Sequence, residues 1–145
     1  GNGVYTLPLI FGMYCYGEAT HKPKPVEASI LGVEAFVISP GYTFLIKNLV
    51  QRERPFQNSS PYRFQGPTGS GYTSFPSGHT DAAFAVATVL AKEYKEKKWV
   101  AITAYSFAGL CGLSRIYDNK HWASDVFFGA AFGAANGAFI YKSNQ

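Results

Sequence analysis

Three short polar clusters interrupt an otherwise apolar chain: Lys47…Arg54-Pro55, Pro76-Ser77-Gly78-His79 and Ser114-Arg115…His121…Asp125. Lys47, Arg54 and Arg115 bring three positive charges, two of them guanidinium forks suited to bidentate contact with an anion. Ser77 and Gly78 open a predicted helix, whose first-turn N–H groups and positive dipole end hold anions. Pro76 suits the first turn of that helix, and Gly78 removes a side chain where backbone must approach a ligand. A phosphoryl group fits this set. His79 and His121 make the set reactive. His121 and Asp125 stand at i and i+4, so they share a face if their helix begins at or before His121. A carboxylate that accepts one ring N–H fixes the tautomer and leaves the other nitrogen as a nucleophile. His79 then donates a proton to the departing oxygen. Taken singly, each residue has a plainer reading: Ser77 as a helix cap, Arg115 as a helix C-terminal cation, Asp125 as a first-turn dipole partner, a histidine as packing. Their joint occurrence points to phosphoryl chemistry.

The elements that must carry these residues are helices. Five apolar segments, at 4–16, 26–50, 77–91, 99–113 and 124–141, predict an all-α bundle with no strand alternation competing. In the second, Ile30, Val33, Phe36, Val37 and Phe44 fall close to a 3.6-residue period, and Pro40-Gly41 predicts a kink. The fifth is rich in Gly and Ala, which lets a neighbouring helix come close. Up-and-down topology brings all three polar clusters to one end. It sends Lys22, Lys24, Lys92, Lys95, Lys97, Lys98 and Lys142 to the other. Between the second and third helices lies a long loop at 56–75, where Phe56, Tyr62, Phe64, Tyr72 and Phe75 are expected to form an apolar wall at the mouth of the site. The run 92–98 alternates in charge and reads as a solvated helix end.

Length and composition bound the rest. At 145 residues, 47% hydrophobic and 15% charged, the chain suits a single domain, 1–145, with ample core, which excludes a disordered chain or a disulfide miniprotein. A net charge of +4 is too small for a nucleic-acid partner and suits a small anionic substrate or an anionic lipid surface. Cys15 and Cys111 read as two buried thiols, their pairing open, and no Cys and His spacing suggests a metal. A span needs about 20 apolar residues. The second segment comes close but holds Glu34, and a mean hydropathy of −0.04 is low for a membrane bundle. The balance favours a soluble or peripheral domain over an integral one.

On K-x6-R-P at Lys47–Pro55, P-S-G-H at Pro76–His79 and S-R-x5-H-x3-D at Ser114–Asp125, the chain resembles the type 2 phosphatidic acid phosphatase superfamily. That superfamily also takes in bacterial class A acid phosphatases and vanadium haloperoxidases. All eleven fixed positions match. The resemblance implies His121 as nucleophile, Asp125 as its orienting carboxylate and His79 as general acid, with Lys47, Arg54, Ser77, Gly78 and Arg115 on the phosphoryl oxygens. It implies no cofactor, although vanadate or phosphate fits the pocket, and a site on the periplasmic side of the cell envelope. Members usually carry about six core helices, so an N-terminal helix is expected beyond the five. The expected activity is hydrolysis of a phosphomonoester or diphosphate, with a lipid phosphate favoured. A soluble acid phosphatase, a vanadate-dependent haloperoxidase and a non-catalytic anion-binding bundle are the alternatives.

Overall fold

In the computed structural model, residues 6–57, 60–68, 71 and 73–145 are described. Five helices follow in order: α1 (Thr6–Ala19), α2 (Pro23–Val50), α3 (Gly78–Glu93), α4 (Lys98–Tyr117) and α5 (Ala123–Ser143). The all-α expectation holds, and the boundaries move outward by a few residues as each helix runs through its polar ends. α2 continues through Pro40. The long connection after α2 holds two 3-10 turns, Pro55–Gln57 and Gly66–Thr68, and a single antiparallel bridge between Arg52 and Phe64. Tyr72 lies outside the described residues.

α3 is the central element and packs against α2, α4 and α5, while α1 lies on α2. Where α2, α3 and α5 meet, much of what is buried is small, with Leu31, Val86, Val89, Leu90 and Ile140 as the larger core residues. α2 buries Ala28, Gly32, Ala35, Ser39 and Thr43, and α5 buries Asp125, Gly129, Gly133, Gly137 and Ile140. These positions recur every three or four residues, as an inward helix face requires. A Cβ placed on Gly129, Gly133 or Gly137 would stand 2.5, 2.1 or 2.3 Å from the carbonyl oxygens of Ser77, Asp81 and Ala85. Backbone therefore meets backbone along this seam, and only glycine permits it.

Most large apolar residues of α2 point the other way. Of its periodic set, Ile30, Val33, Val37 and Phe44 are 56, 44, 64 and 60% exposed, while Phe36 is partly buried against the core. The same inversion holds for Phe107, Leu110 and Leu113 of α4 and for Phe127 and Phe139 of α5. Three helices, α2, α4 and α5, are long and apolar enough to cross a membrane by length and composition. An apolar solvent removes the drive to bury large apolar side chains, so packing passes to small ones. Glu34, which argued against a span, is half-buried and accepts a hydrogen bond from Asn144 Nδ2 at 3.3 Å. The preference for a soluble or peripheral domain loses its basis here.

The basic end assembles as expected. Lys24 Nζ donates to Glu96 Oε1 at 2.6 Å, joining the α1–α2 and α3–α4 ends, and Lys92 lies over the Tyr141 ring. Both cysteines are free thiols, as expected, but not buried: Cys15 is exposed and Cys111 partly so.

Candidate active site

From the opposite end, a half-open cavity of about 1060 Å³ runs along α2, α3 and α4. Lys47, Arg54, Gly78, His79 and His121 line it. The remaining wall is apolar and helical, with Leu9, Phe36, Phe44, Val86, Phe107 and Leu110 among its residues. The loop aromatics expected there are elsewhere. Phe64 packs its ring against Arg52, Phe75 sits edge-on to Phe128, and Tyr62 is 86% exposed. Helices outcompete the loop for the wall because their outward apolar stripes flank the opening already.

His121 precedes α5 instead of lying on it, since the helix begins at Ala123 with Trp122 as its cap. The shared helix face expected for His121 and Asp125 therefore does not form, and capping brings the two together instead. Asp125 Oδ2 accepts the Trp122 backbone N–H at 2.9 Å, which turns the carboxylate back toward His121. The imidazole nitrogen Nδ1 stands 3.8 Å from that oxygen and 2.7 Å from the Ser74 carbonyl. At 3.8 Å the carboxylate is a neighbouring charge and not a hydrogen-bond acceptor. A carbonyl can only accept, so Nδ1 carries the hydrogen and Nε2 is the lone-pair nitrogen of the neutral ring. The tautomer is the expected one, set by a different partner.

Ser74 and Arg52 were not among the expected site residues. Ser74 Oγ donates to Asp125 Oδ2 at 2.5 Å, while its carbonyl takes the imidazole N–H. Arg52 Nη1 donates to Asp125 Oδ1 at 2.5 Å, with both side chains buried. Neither lies at a motif position; for Arg52 the one signal was a third cation two residues before Arg54. Lys47 holds the same segment. Its ammonium donates to the Thr73 carbonyl at 2.7 Å and the Pro76 carbonyl at 2.5 Å.

Two expected phosphate ligands, Ser77 and Arg115, are not among the residues lining the cavity. Ser77 is fully buried: its N–H donates to the Asp125 carbonyl at 2.9 Å and its Oγ accepts from Thr80 Oγ1 at 2.9 Å. Its backbone donor is thus occupied by α5, because the glycine seam brings the two backbones into contact. Pro76 lies outside the helix, before this cap, joined to Phe75 by a cis peptide. Arg115 is buried beside Ser114, with Nη2 3.2 Å from Asp118 Oδ2. Arg54 reaches Thr73 Oγ1 at 3.3 Å while lining the cavity.

The electrostatics favour neutral imidazoles. Burial lowers the proton affinity of His121 and outweighs Asp125, and the charges of Lys47 and Arg54 add to the fall. Enclosure lowers His79 to about 4, with Arg115 and His121 adding to the effect. Burial also lowers Arg54. An unfolded histidine near 6.5 binds protons that the folded one refuses, so stability is held above that value and lost as pH falls below it. The melting temperature is therefore expected to drop between pH 7 and pH 5, and to drop less in His121→Asn. Equal slopes for the two proteins would contradict this.

Over 87 residues the chain is 44% identical to a lipid A 1-phosphatase of Porphyromonas gingivalis, covering 58% of this chain and 20% of that protein. It is 32% identical over 162 residues to a probable diacylglycerol pyrophosphate phosphatase 1 of Schizosaccharomyces pombe, covering 90% of this chain and 58% of the other. The chain thus spans well under two thirds of these relatives. Among solved structures, Aquifex aeolicus LpxE superposes with a TM-score of 0.75 at 27% identity, over 98% of this chain and 79% of that one. A transmembrane PAP2 type phosphatidylglycerolphosphate phosphatase from Bacillus subtilis gives 0.68 at 27%, over 97% and 69%. The PAP2 superfamily model matches residues 28–145, a stretch that holds every motif position and α3 to α5 entire. By that match the chain belongs to the PAP2 superfamily.

Proposed function

We propose that this chain hydrolyses the phosphate of a lipid phosphomonoester or diphosphate through a phosphohistidine on His121, without a metal ion. One observation carries the reading: cations and two imidazoles stand at one end of a cavity whose other walls are apolar helix. A charged headgroup with an apolar tail matches such a site, and a water-soluble ester would leave most of it unused. The relatives' names, lipid A 1-phosphatase and diacylglycerol pyrophosphate phosphatase, support the same substrate class.

The reaction follows from the residues in place. Lys47, Arg54 and the first-turn N–H groups at Gly78 hold the phosphoryl oxygens, and Arg115 joins them by leaving Asp118. Nε2 of His121 attacks phosphorus in line, and the P–O bond to the lipid breaks. His79 gives its proton to the departing oxygen. It is neutral in the empty site, with a pKa of about 4, so the proton must arrive with the substrate. A phosphate dianion beside the ring supplies the negative charge that raises its affinity. Water then attacks the phosphohistidine as His79 takes back a proton, and inorganic phosphate leaves. The work is mostly positioning and charge stabilisation, as in other phosphoryl transfers.

The bundle is read as membrane-embedded, with the site facing the non-cytoplasmic side, because the lysine-rich ends lie opposite the cavity. A phosphate-release panel of lipid and water-soluble esters tests the assignment. Release from lipid phosphates is expected to continue in EDTA and stop with vanadate, which adopts the five-coordinate geometry of the transition state. Loss of activity in EDTA, or turnover confined to soluble esters, would overturn it.

A further inference from the structure

Arg52 is 6% exposed and occupies none of the fixed motif positions, yet it contacts the apparatus behind His121 on several sides. Its guanidinium is held between the Phe64 and Trp122 rings, 5.2 and 5.6 Å from their centroids. Nε and Nη2 donate to the Pro61 carbonyl at 3.1 and 2.6 Å, which fixes the plane of the fork. Nη1 then donates to Ser124 Oγ at 2.7 Å and to Asp125 Oδ1 at 2.5 Å. The Arg52 carbonyl accepts the Ser74 N–H at 3.0 Å, so the same residue also seats the serine whose carbonyl holds the imidazole.

This arrangement assigns both oxygens of Asp125. Oδ1 goes to Arg52, and Oδ2 goes to Ser74 Oγ and the Trp122 N–H. The carboxylate is compensated by a cation on its far side and stands 3.8 Å from Nδ1. An uncompensated buried carboxylate at that distance would draw a second proton onto the imidazole. That proton would occupy Nε2 and remove the lone pair.

We propose that Arg52 is a positioning residue whose guanidinium, by pairing with Asp125, keeps His121 a neutral imidazole with its lone pair on Nε2. The inference rests on the reading of His121 as nucleophile. Other charges also face His121: Asp125 from α5, Lys47 from α2, Arg54 from the connection after α2, His79 from α3, and Arg115 from α4 by way of His79. All of these stay in place when Arg52 alone is changed, so a shift on its removal reports the Arg52 pair.

The experiment reads the imidazole directly. Protein labelled with ¹⁵N-histidine is titrated by NMR, with the His121 resonance identified by its loss in His121→Asn. Arg52→Met keeps the stem between the two rings without the charge, and Arg52→Gln keeps a donor. Both are expected to raise the His121 titration by about one pH unit or more. The acid limb of the kcat/KM profile should move up by the same amount. Arg52→Lys restores the wild-type midpoint. Arg52→Met with Asp125→Asn, which removes both charges, returns the midpoint to the wild-type value or below. An unmoved midpoint with activity lowered equally at every pH reduces Arg52 to a packing residue and overturns the proposal. The NMR titration needs no turnover, so a failed phosphatase assignment and a failed role for Arg52 are told apart.

Discussion

His121→Ala is expected to lower phosphate release by at least about four orders of magnitude while the bundle stays folded. The loss is large because Lys47, Arg54 and the α3 N-terminus can still bind the headgroup, but no atom remains to take the phosphoryl group. The fold survives because little rests on the ring. Asp125 keeps Arg52, Ser74 and the Trp122 N–H, and the Ser74 carbonyl, which loses its imidazole partner, still has the Lys47 ammonium at 3.5 Å. One weakened acceptor costs at most about 1–3 kcal/mol. Circular dichroism and melting in detergent should therefore resemble wild type, and a protein trapped with radiolabelled lipid under alkaline denaturing conditions should lose its covalent label. Undiminished turnover in the folded variant would remove the phosphohistidine from the mechanism.

Among the described glycines, Gly133→Ala is expected to be the most damaging substitution. In an open helix the substitution stabilises by about 1 kcal/mol. Here the new Cβ would stand 2.1 Å from the Asp81 oxygen and 2.9 Å from its carbonyl carbon. A helical carbonyl cannot rotate aside, so α5 must retreat from α3. Overpacking of this kind costs about 1–3 kcal/mol, and with backbone as the obstacle the upper end applies. Activity should fall further than stability, because α3 carries His79 while the start of α5 carries Asp125 and adjoins His121. The matched control is Gly109→Ala in α4, where nothing lies within 4 Å of the added carbon. Its melting temperature should hold or rise. Equal behaviour of the two variants, in melting and in phosphate release, would mean that the seam is not close-packed.

How far the residues themselves announced this is uneven, and the pattern has a physical reason. The helices and the convergence of Lys47, Arg54, Gly78, His79 and His121 were legible because both depend on order along the chain: apolar runs, their ends, and alternation up and down. The direction of each helix face was not. A stripe such as Ile30, Val33, Val37 and Phe44 looks the same whether it meets a core or a lipid tail, and only the small residues opposite decide. The occupied backbone donor of Ser77 is hidden for a related reason: a helix-initial N–H is free unless another backbone arrives, and three glycines on α5 deliver one. Arg52 and Ser74 went unseen because each earns its place through a contact tens of residues away. Arg52 meets a carboxylate 73 positions along. Distance in the chain hides such partners, whereas local spacing displays the motifs.

The glycine seam also acts as a ruler. Each of its teeth sits against one carbonyl of the facing segment, so α5 has one longitudinal setting, and the Ser77 N–H to Asp125 carbonyl bond marks its zero. Inserting one residue between Asp125 and Gly129 would turn the carboxylate by about 100° around the α5 axis while the teeth stayed engaged. This stretch of helix therefore tolerates exchange of its outward side chains far better than any change in its length.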